Sequence, residues 1–435
     1  MFDCFSQCAL FLKHIVPGDS PECCLKMGVE SLQTPEDQRQ SSSSPGNHAV
    51  DLTIFWSNST PPALRDAPPQ VLVSTTALSS SAPKTSPLVN EPAKNCRKDI
   101  CLLPNCKCDQ VDIPGGIPLK DTPQIVLITF DDAVNDHNKR IYADFFERGR
   151  KNPNGCPIVA TFYVTQGAGG TDYGQVQNLY AAGHEMASHT ITHSHGKRFS
   201  YEQWAHEVDG QRELLAKYGG VKREDIRGMR APYLEIGGDS MFKMLYDYKF
   251  TYDSSMPIYE NRPPSWPYTL DYKLPHNCVI PSCPINSYPG IWEVPMVVLE
   301  DLKGGKCAMV DFCSNPTTSA DVYRMLMNNF ERHHTTNRAP FYLYFHATWF
   351  AQAQNKQGFI SFLDKIVAMN DVWVVTNWQA IQWIKNPTPL SHINNFAPFG
   401  CNYQARPKCS NAKVCSLQLN NKVQYLKTCQ TCSAH

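Results

Sequence analysis

Two adjacent carboxylates, Asp131 and Asp132, follow the apolar run of residues 124–130. Successive side chains of a strand point to opposite faces, and two ionised carboxylates in an apolar core would be costly. The pair is therefore expected where a buried strand opens into a loop and a cation gathers both side chains. An isolated Asp-Asp pair is as often a helix N-cap followed by a surface acid, so its meaning depends on partners elsewhere.

His189 and His193 are four residues apart and directly follow an apolar run at residues 184–188. A single helical turn would bring both imidazoles to one side. With one carboxylate they would provide three protein ligands and leave positions open for water and substrate, as in catalytic zinc sites. A solvated surface pair is the ordinary alternative. The His-Glu-x-x-His motif is absent, because His189 lies five residues after His184.

Further polar residues stand where other apolar runs end, among them Asp253 and His346. Metal-assisted hydrolysis needs a carboxylate that deprotonates the water and an acid that protonates the leaving group. One Asp of the adjacent pair would therefore ligate the metal while the other remains a free base. His346 can be the acid, and a hydrogen-bonded histidine at a strand end is the alternative.

The sequence Arg-Ala-Pro-Tyr, residues 230–233, ends another apolar run. Arg230 can hold the base carboxylate by a paired hydrogen bond, and a surface arginine is the alternative. Pro232 lacks an N–H donor and fixes the chain, so the backbone N–H of Tyr233 can point into the site and stabilise an oxyanion.

From about residue 120, short apolar runs alternate with amphipathic stretches, and these elements must position the residues above. Such an order favours parallel strands with crossover helices. About eight strands over about 270 residues fit an α/β fold with a distorted or incomplete (β/α) barrel, whose active sites form at the C-terminal strand ends. An open doubly wound sheet is the alternative. The predicted strands are 124–130, 158–164, 184–188, 226–231, 250–253, 291–298, 341–346 and 372–376, and the predicted helices are 138–149, 174–182, 201–218, 239–248, 319–333, 358–369 and 378–385.

The cysteines indicate how the chain is divided. Of 18 cysteines, 14 follow residue 95, and their irregular spacing favours disulfides in an oxidising compartment over structural zinc sites. We expect a cysteine-containing remnant over residues 1–30, a Ser/Thr/Pro-rich disordered linker over 31–95 and a catalytic domain over 96–435. Within that domain, the barrel would span about 120–386 and a Cys-rich C-terminal extension would span 387–435.

Charge and targeting signals limit the partners. The 40 basic and 40 acidic residues balance, which argues against a nucleic-acid partner or an acidic membrane surface. No apolar stretch approaches the length of a transmembrane helix. We expect a secreted monomer, with a glycosylation triplet at Asn58. Because residues 1–20 lack the features of a signal peptide, we expect either a different natural N-terminus or an unusual export route.

The stretch of residues 257–313 is too long for an ordinary barrel connection. It is rich in aromatic residues and contains four cysteines, whose disulfides would stiffen it. Aromatic faces are platforms for sugar rings, so Trp266 is a candidate glycan contact, with packing in the core as the alternative.

Several of these sequences resemble the motifs of one family. Thr-Phe-Asp-Asp at 129–132, His-Thr-x-x-His at 189–193 and Arg-Ala-Pro-Tyr at 230–233 resemble the first three motifs of the polysaccharide deacetylase domain (NodB-homology, carbohydrate esterase family 4). Leu-Tyr-Phe-His at 343–346 resembles its last motif. The resemblance covers about residues 96–430. It is narrowed to the chitin deacetylases of arthropods and related animals by the sequences at 129–135, 266–272 and 289–295.

The resemblance implies Asp131 as the catalytic base and Asp132, His189 and His193 as ligands of one Zn²⁺ ion, with other divalent metals such as Co²⁺ as alternatives. The implied reaction removes N-acetyl groups from the N-acetylglucosamine units of chitin and releases acetate. A catalytically weak chitin-binding relative and a deacetylase of another acetylated glycan are the main alternatives. A non-haem iron oxygenase also uses two His and a carboxylate, but it would not need a second Asp and a facing His346.

The resemblance also implies supporting roles around these residues. Arg230 would orient the base, His346 would act as the acid, and Asp253 would match the aspartate that supports the catalytic His. The family has an apolar residue facing the acetyl pocket two positions before that His. Here the position holds Tyr344, with Leu343 one residue earlier, so both are candidate substrate contacts.

Overall fold

The structure is a computed structural model that describes residues 87–432, apart from residues 168, 260, 315, 420 and 421. The predicted N-terminal remnant, the glycosylation triplet at Asn58 and residues 31–86 of the predicted linker lie outside the described residues. Residues 90–93 already pair with a later segment of the chain. The N–H of Asn90 donates to the carbonyl of Ser287 (2.8 Å), and the N–H of Ala93 donates to the carbonyl of Ile285 (3.0 Å). These residues thus pair with the segment 285–287, which belongs to the predicted catalytic domain.

The strands and helices follow the predicted alternation. The strands are β1 (Gln124–Asp132), β2 (Thr161–Val164), β3 (Glu185–Ser188), β4 (Gly228–Met229), β5 (Tyr252–Asp253), β6 (Pro257–Ile258), β7 (Tyr268–Leu270), β8 (Tyr288–Glu293), β9 (Met296–Val297), β10 (Leu299–Glu300), β11 (Lys306–Cys307), β12 (Phe341–His346), β13 (Val372–Val375), β14 (Lys413–Leu419) and β15 (Lys422–Thr428). The α-helices are α1 (Lys139–Phe146), α2 (Tyr173–Ala181), α3 (Tyr201–Trp204), α4 (Gly210–Gly219), α5 (Gly238–Asp247), α6 (Ser319–His334), α7 (Ala353–Val367) and α8 (Asn377–Lys385).

The main sheet contains nine strands in the spatial order β12-β1-β2-β3-β4-β5-β8-β7, with β13 also paired to β1. All pairs are parallel except β7 with β8. The order from β1 to β5 follows the chain, as in a (β/α) barrel, but in the described residues the edge strands β7 and β12 do not pair. The predicted α/β class and incomplete barrel are therefore confirmed.

The strand register brings the C-terminal ends of these strands to one edge. Asp131 lies opposite His346 across the β1–β12 pair. In the other direction from β1, the paired residues run across the sheet in the order Asp132, Val164, Ser188, Met229, Asp253 and Glu293. Because parallel strands keep their ends together, residues far apart in sequence meet at this edge.

Two elements differ from the sequence prediction for local reasons. The predicted strand at 291–298 divides into β8 and β9 around Pro295, which cannot donate a ladder hydrogen bond. The predicted helix at 201–218 divides into α3 and α4 around a π-helical turn, Ala205–Asp209. Such turns are frequent at functional sites.

Disulfides stabilise the segments that flank the sheet. In the described residues seven are formed, which confirms the predicted disulfide-rich extensions: Cys96–Cys108, Cys101–Cys106, Cys156–Cys401, Cys278–Cys283, Cys307–Cys313, Cys409–Cys429 and Cys415–Cys432. Among the described helices, none is both long enough and apolar enough to cross a membrane.

Candidate active site

The adjacent carboxylates stand at the end of β1 and point to different neighbours. Asp131 is buried, and its Oδ1 lies 2.6 Å from Nη1 of Arg230. Asp132 has a φ of 81°, so the chain leaves the strand at this residue and its carboxylate turns toward the two histidines. A continuing strand would place the two side chains on opposite faces of the sheet. Because the strand ends here, Asp131 contacts Arg230 while Asp132 faces the histidines.

Asp132, His189 and His193 form a cluster in which one potential ligand atom from each residue lies within 4.8 Å of the others. Nε2 of His193 lies 3.2 Å and Nε2 of His189 3.8 Å from Oδ1 of Asp132. That oxygen is buried and accepts no hydrogen bond from any described residue. A buried carboxylate oxygen costs free energy unless a partner is supplied. Two imidazole nitrogens and one carboxylate oxygen fit a divalent cation such as Zn²⁺.

The histidines do not share a helical turn, which corrects the sequence expectation. Residues 189–193 form a loop in which Thr190 and His193 have φ values of 63° and 55°. Oγ1 of Thr190 accepts the backbone N–H of His193 at 3.1 Å. The loop therefore brings the imidazoles together through two residues in left-handed conformations.

The charge states in the cluster suit metal binding. Nδ1–H of His189 donates to the carbonyl of Arg230 at 2.8 Å, which leaves Nε2 with a free lone pair toward Asp132. Burial lowers the pKa of His189 and favours the neutral imidazole. Burial alone would raise the pKa of Asp132, but His193, His346 and His189 hold it well below its usual range.

Arg230 is fully buried and connects Asp131 to the next strand. Besides Asp131, its Nη1 donates to Oγ1 of Thr129 (3.0 Å). Its Nε and Nη2 donate to the carbonyl and hydroxyl of Ser254 at 2.7 and 3.0 Å. The guanidinium also lies 4.0 Å from the ring centre of Tyr163. These contacts fix the guanidinium and orient the Asp131 carboxylate toward the site.

His346 ends β12, and its imidazole bonds Asp311 rather than Asp253. Nδ1–H of His346 donates to Oδ2 of Asp311 at 2.5 Å, while its Nε2 lies 4.0 Å from Oδ2 of Asp132. Burial would lower the pKa of His346, but the negative charge of Asp311, followed by those of Asp132 and Asp131, raises it to about 10. The protonated form suits an acid. Sequence reasoning missed Asp311, and the only local signal is its position between Cys307 and Cys313.

Asp253 lies behind Arg230 and does not support His346 as the family resemblance implied. Its Oδ1 accepts the hydroxyl of Ser255 (2.7 Å) and its Oδ2 the N–H of the same residue (3.0 Å). Its carboxyl also contacts that of Glu293, and burial raises the pKa of both groups. Because two buried carboxylates in contact cannot both be ionised at low cost, the pair shares a proton. Asp253 therefore shapes the turn that holds Arg230.

Two aromatic side chains stand exposed beside the cluster. Tyr233 has a φ of 57°, and its ring stacks on His195 at 4.0 Å and meets the edge of His193 at 4.9 Å. Phe312 contacts His346, with ring centres 6.1 Å apart. Their exposed fractions, 49% and 53%, leave part of each ring accessible to a ligand. Sequence reasoning selected Tyr233 for its backbone and did not select Phe312.

The predicted substrate contacts are all buried. Trp266 is inaccessible to solvent, stacks on Trp383 and donates its Nε1–H to the carbonyl of Asn337 at 3.2 Å, so it packs in the core. Tyr344 lies under the site, 5.2 Å from the Arg230 guanidinium, with its hydroxyl bonded to Pro295. Leu343 is buried and, by alternation, faces away from His346. The burial of Trp266 favours the alternative of packing in the core, while the roles of Tyr344 and Leu343 near the acetyl pocket stay predictions.

Comparison with known proteins places the chain in a family. Residues 119–252 match the family described as polysaccharide deacetylase. The chain is 38% identical over 367 residues to chitin deacetylase 1 of Bombyx mori, an alignment that covers 79% of this chain and 68% of that protein. It is 35% identical over 353 residues to chitin deacetylase 8 of the same species, covering 78% and 91%.

Among solved structures, a family 4 acetyl xylan esterase from Clostridium thermocellum aligns over 61% of this chain and 95% of its own, with 13% identity and a TM-score of 0.38. The family assignment depends on the two Bombyx mori relatives and on the matched residues, not on this alignment. From the extent of those two matches, the chain belongs to the polysaccharide deacetylase family, with a NodB-homology or carbohydrate esterase family 4 domain, and is a hydrolytic deacetylase.

Proposed function

We propose that this protein is a metal-dependent chitin deacetylase that removes N-acetyl groups from N-acetylglucosamine units and releases acetate. One observation carries the metal part of the proposal: the buried Oδ1 of Asp132 has no hydrogen-bond partner among the described residues and faces Nε2 of two histidines. The names of the two Bombyx mori relatives support chitin as the substrate.

Asp132, His189 and His193 would hold a single divalent cation, with Zn²⁺ favoured by the mixture of nitrogen and oxygen ligands and Co²⁺ as an alternative. When bound, the cation supplies Lewis acidity toward water and the acetamide carbonyl. With only three protein ligands, the set leaves room for both reactants.

The remaining residues supply the proton transfers. Asp131, oriented by Arg230, takes a proton from the attacking water. In the same step the water oxygen forms a bond to the carbonyl carbon of the acetamide. His346, oriented by Asp311, gives its Nε2 proton to the nitrogen as the C–N bond breaks. Water and the amide are thereby converted to acetate and a glucosamine unit. The backbone N–H of Tyr233 is proposed to stabilise the negative charge on the carbonyl oxygen during this step.

The exposed rings of Tyr233 and Phe312 are proposed to contact the sugar. Tyr233 contacts His193 of the cluster and Phe312 contacts His346, the proposed acid, so the two rings border the site at different residues. Sugar rings carry C–H groups that pack on aromatic faces. A glycan lying over the site would therefore meet one aromatic ring beside His193 and another beside His346.

The cellular setting is proposed from chemistry. Seven disulfides in the described residues fit an oxidising compartment, so we propose that the protein acts outside the cell, on chitin in an extracellular matrix, as a monomer. The domain division at residues 96–435 is retained as a proposal, with the start moved to about residue 90 by the pairing of residues 90–93.

The deciding experiment measures acetate released from chitin oligomers by the zinc-loaded protein, with acetylated xylan as a second substrate and Asp131→Asn as the inactive control. We expect release from chitin oligomers, its loss in Asp131→Asn and its suppression by a chelator. Chitin binding without acetate release would favour the catalytically weak relative. Faster release from acetylated xylan would favour a deacetylase of another glycan.

A further inference from the structure

The loop that joins the two histidines of the cluster is conformationally strained. Thr190 and His193 both have positive φ values, 63° and 55°, and neither is glycine. Side chains disfavour this region, so such residues persist only where the surroundings hold them. Because His193 itself is one of the strained residues, whatever holds the loop also sets the position of its imidazole.

Glu207 provides the principal contacts to this loop. Its Oε2 accepts the backbone N–H groups of Ile191 and Thr192, both at 2.9 Å. Its Oε1 accepts the hydroxyl of Thr192 at 2.8 Å. The carboxylate is nearly inaccessible, with Glu207 6% exposed, so water cannot replace these bonds at low cost. One buried carboxylate thus satisfies two consecutive backbone donors between His189 and His193.

The helix that carries Glu207 fits against the loop at two further points. Glu207 lies in the π-helical turn Ala205–Asp209, and the carbonyl of Val208 accepts the hydroxyl of Ser188 at 2.9 Å. The buried side chain of Ile191 packs on Gly210, where a Cβ atom would approach Ile191 Cδ1 to 2.6 Å. The turn and the glycine together let the helix approach closely enough for Glu207 to reach the loop.

We propose that Glu207 is a positioning residue of the metal site, which fixes the loop through Ile191 and Thr192 and so places His193 for coordination. The inference deepens the proposed function, since it assumes that the cluster binds a metal. Among the described residues Glu207 is not part of the potential ligand group, so it acts through the loop and not by coordination.

The chemistry of the contacts predicts how substitutions should rank. Glu207→Ala leaves two buried N–H groups without an acceptor, which costs more than losing a single exposed bond. Glu207→Gln keeps one oxygen as acceptor for both N–H groups and turns an amide toward Oγ1 of Thr192. That hydroxyl can then accept, because it also has Oγ of Ser194 at 2.7 Å as a partner. Glutamine should therefore preserve the loop better than alanine.

Glu185 offers a matched control. It is also buried and accepts three hydrogen bonds, from the hydroxyls of Thr161 (3.1 Å) and Tyr252 (2.8 Å) and the N–H of Trp378 (2.8 Å). None of these donors belongs to the histidine loop. Glu185→Ala removes a comparable buried carboxylate and should lower the melting temperature without changing metal affinity.

The test titrates metal-free protein with Zn²⁺ against a chelator of known affinity. We expect Glu207→Ala to bind Zn²⁺ about 10- to 100-fold more weakly than wild type, Glu207→Gln to lie closer to wild type, and Glu185→Ala to bind normally. Wild-type affinity in folded Glu207→Ala would overturn the inference, as would an equal loss in Glu185→Ala.

Hydrogen exchange of the metal-free proteins gives a second readout that needs neither zinc nor activity. The amides of Ile191 and Thr192 should exchange faster in Glu207→Ala than in wild type, and unchanged exchange would contradict the inference. If wild type itself binds no Zn²⁺, the metal-dependent function fails, and the exchange rates alone decide whether Glu207 fixes the loop.

Discussion

Asp311 accepts a short hydrogen bond from His346, with 2.5 Å between Oδ2 and Nδ1. The two residues are 35 positions apart, and Asp311 lies in the turn Val310–Phe312, within the loop closed by the Cys307–Cys313 disulfide. The contact directs Nε2 of His346 toward the cluster of Asp132, His189 and His193. The proposed acid is therefore oriented by a loop outside the four sequence motifs.

Asp311→Asn should lower kcat by about tenfold or more, with the roughly 10²–10⁴-fold contribution typical of general acid catalysis as the upper limit. The amide cannot carry the charge that favours the protonated imidazole, and it can turn its NH₂ group toward Nδ1. Zinc content should stay at the wild-type level, because Asp311 is not in the ligand cluster. Acetate release and elemental analysis measure the two effects. Asp321→Asn, at the exposed start of α6, is the control, and equal activity in both variants would contradict the role of Asp311.

Removing the disulfide that closes this loop should reduce activity beyond its effect on stability. Cys307→Ser with Cys313→Ser frees the turn that carries Asp311, whereas Cys278→Ser with Cys283→Ser opens a loop of similar length elsewhere. Both double variants should lose about 2 kcal/mol of unfolding free energy, by the loop-closure estimate. Only the first should show a lower kcat at a temperature where both are folded. An equal kcat in the two would show that the disulfide does not hold the acid.

Replacing a metal ligand and replacing the base should have different consequences. Asp132→Ala or His193→Ala removes one of three protein ligands and should abolish metal binding. Asp131→Asn should retain the metal and lose most of the rate, since Asp131 contacts Arg230 and lies outside the ligand group. Elemental analysis of the purified variants separates the roles, and stoichiometric zinc in Asp132→Ala would overturn the assignment.

Two aromatic substitutions should affect different properties. Phe312→Ala removes an exposed ring beside His346 and should raise KM for chitin oligomers with little change in melting temperature. Trp266→Ala removes a fully buried ring and should lower the free energy of unfolding by about 3–5 kcal/mol. Steady-state kinetics and thermal unfolding report the two effects. An unchanged KM in folded Phe312→Ala would exclude that ring as a sugar contact.

Asp371 should make stability depend on acid pH. His334 and Arg338 donate to its Oδ2 at 2.9 and 2.8 Å and hold the pKa of Asp371 well below its usual range. A lowered pKa gives stability that is present above the ordinary value of about 3.9 and is lost as pH falls through the folded value. Asp371→Asn should therefore cost roughly 1–2 kcal/mol at neutral pH and progressively less below about pH 4.

Urea unfolding at several pH values measures this difference. Asp364→Asn, which removes an exposed carboxylate from its pair with Arg150, is the control and should stay near wild type throughout. A loss in Asp371→Asn that is the same at all pH values would show that the ionised carboxylate is not the source of the stability.

Much of this site follows from local sequence patterns. Alternating apolar runs and amphipathic stretches place the main strands within a few residues of their observed bounds. Asp132 and His346 each end a strand, and His189 directly follows one. Because parallel strands keep their C-terminal ends at one edge, residues at those ends must converge whatever the details of packing. The approach of Asp132 to His189 and the Arg230–Asp131 contact therefore needed only the strand order.

The tertiary structure decided what depends on contacts between distant segments. The choice of Asp311 over Asp253 as partner of His346 depends on how a disulfide loop folds over the end of β12. The burial of Trp266 depends on Trp383, more than 100 residues later, and the left-handed loop at His193 depends on Glu207 from the following helix. Periodicity and motif spacing report which face of an element is apolar, but side-chain partners are set by packing, which local sequence does not encode.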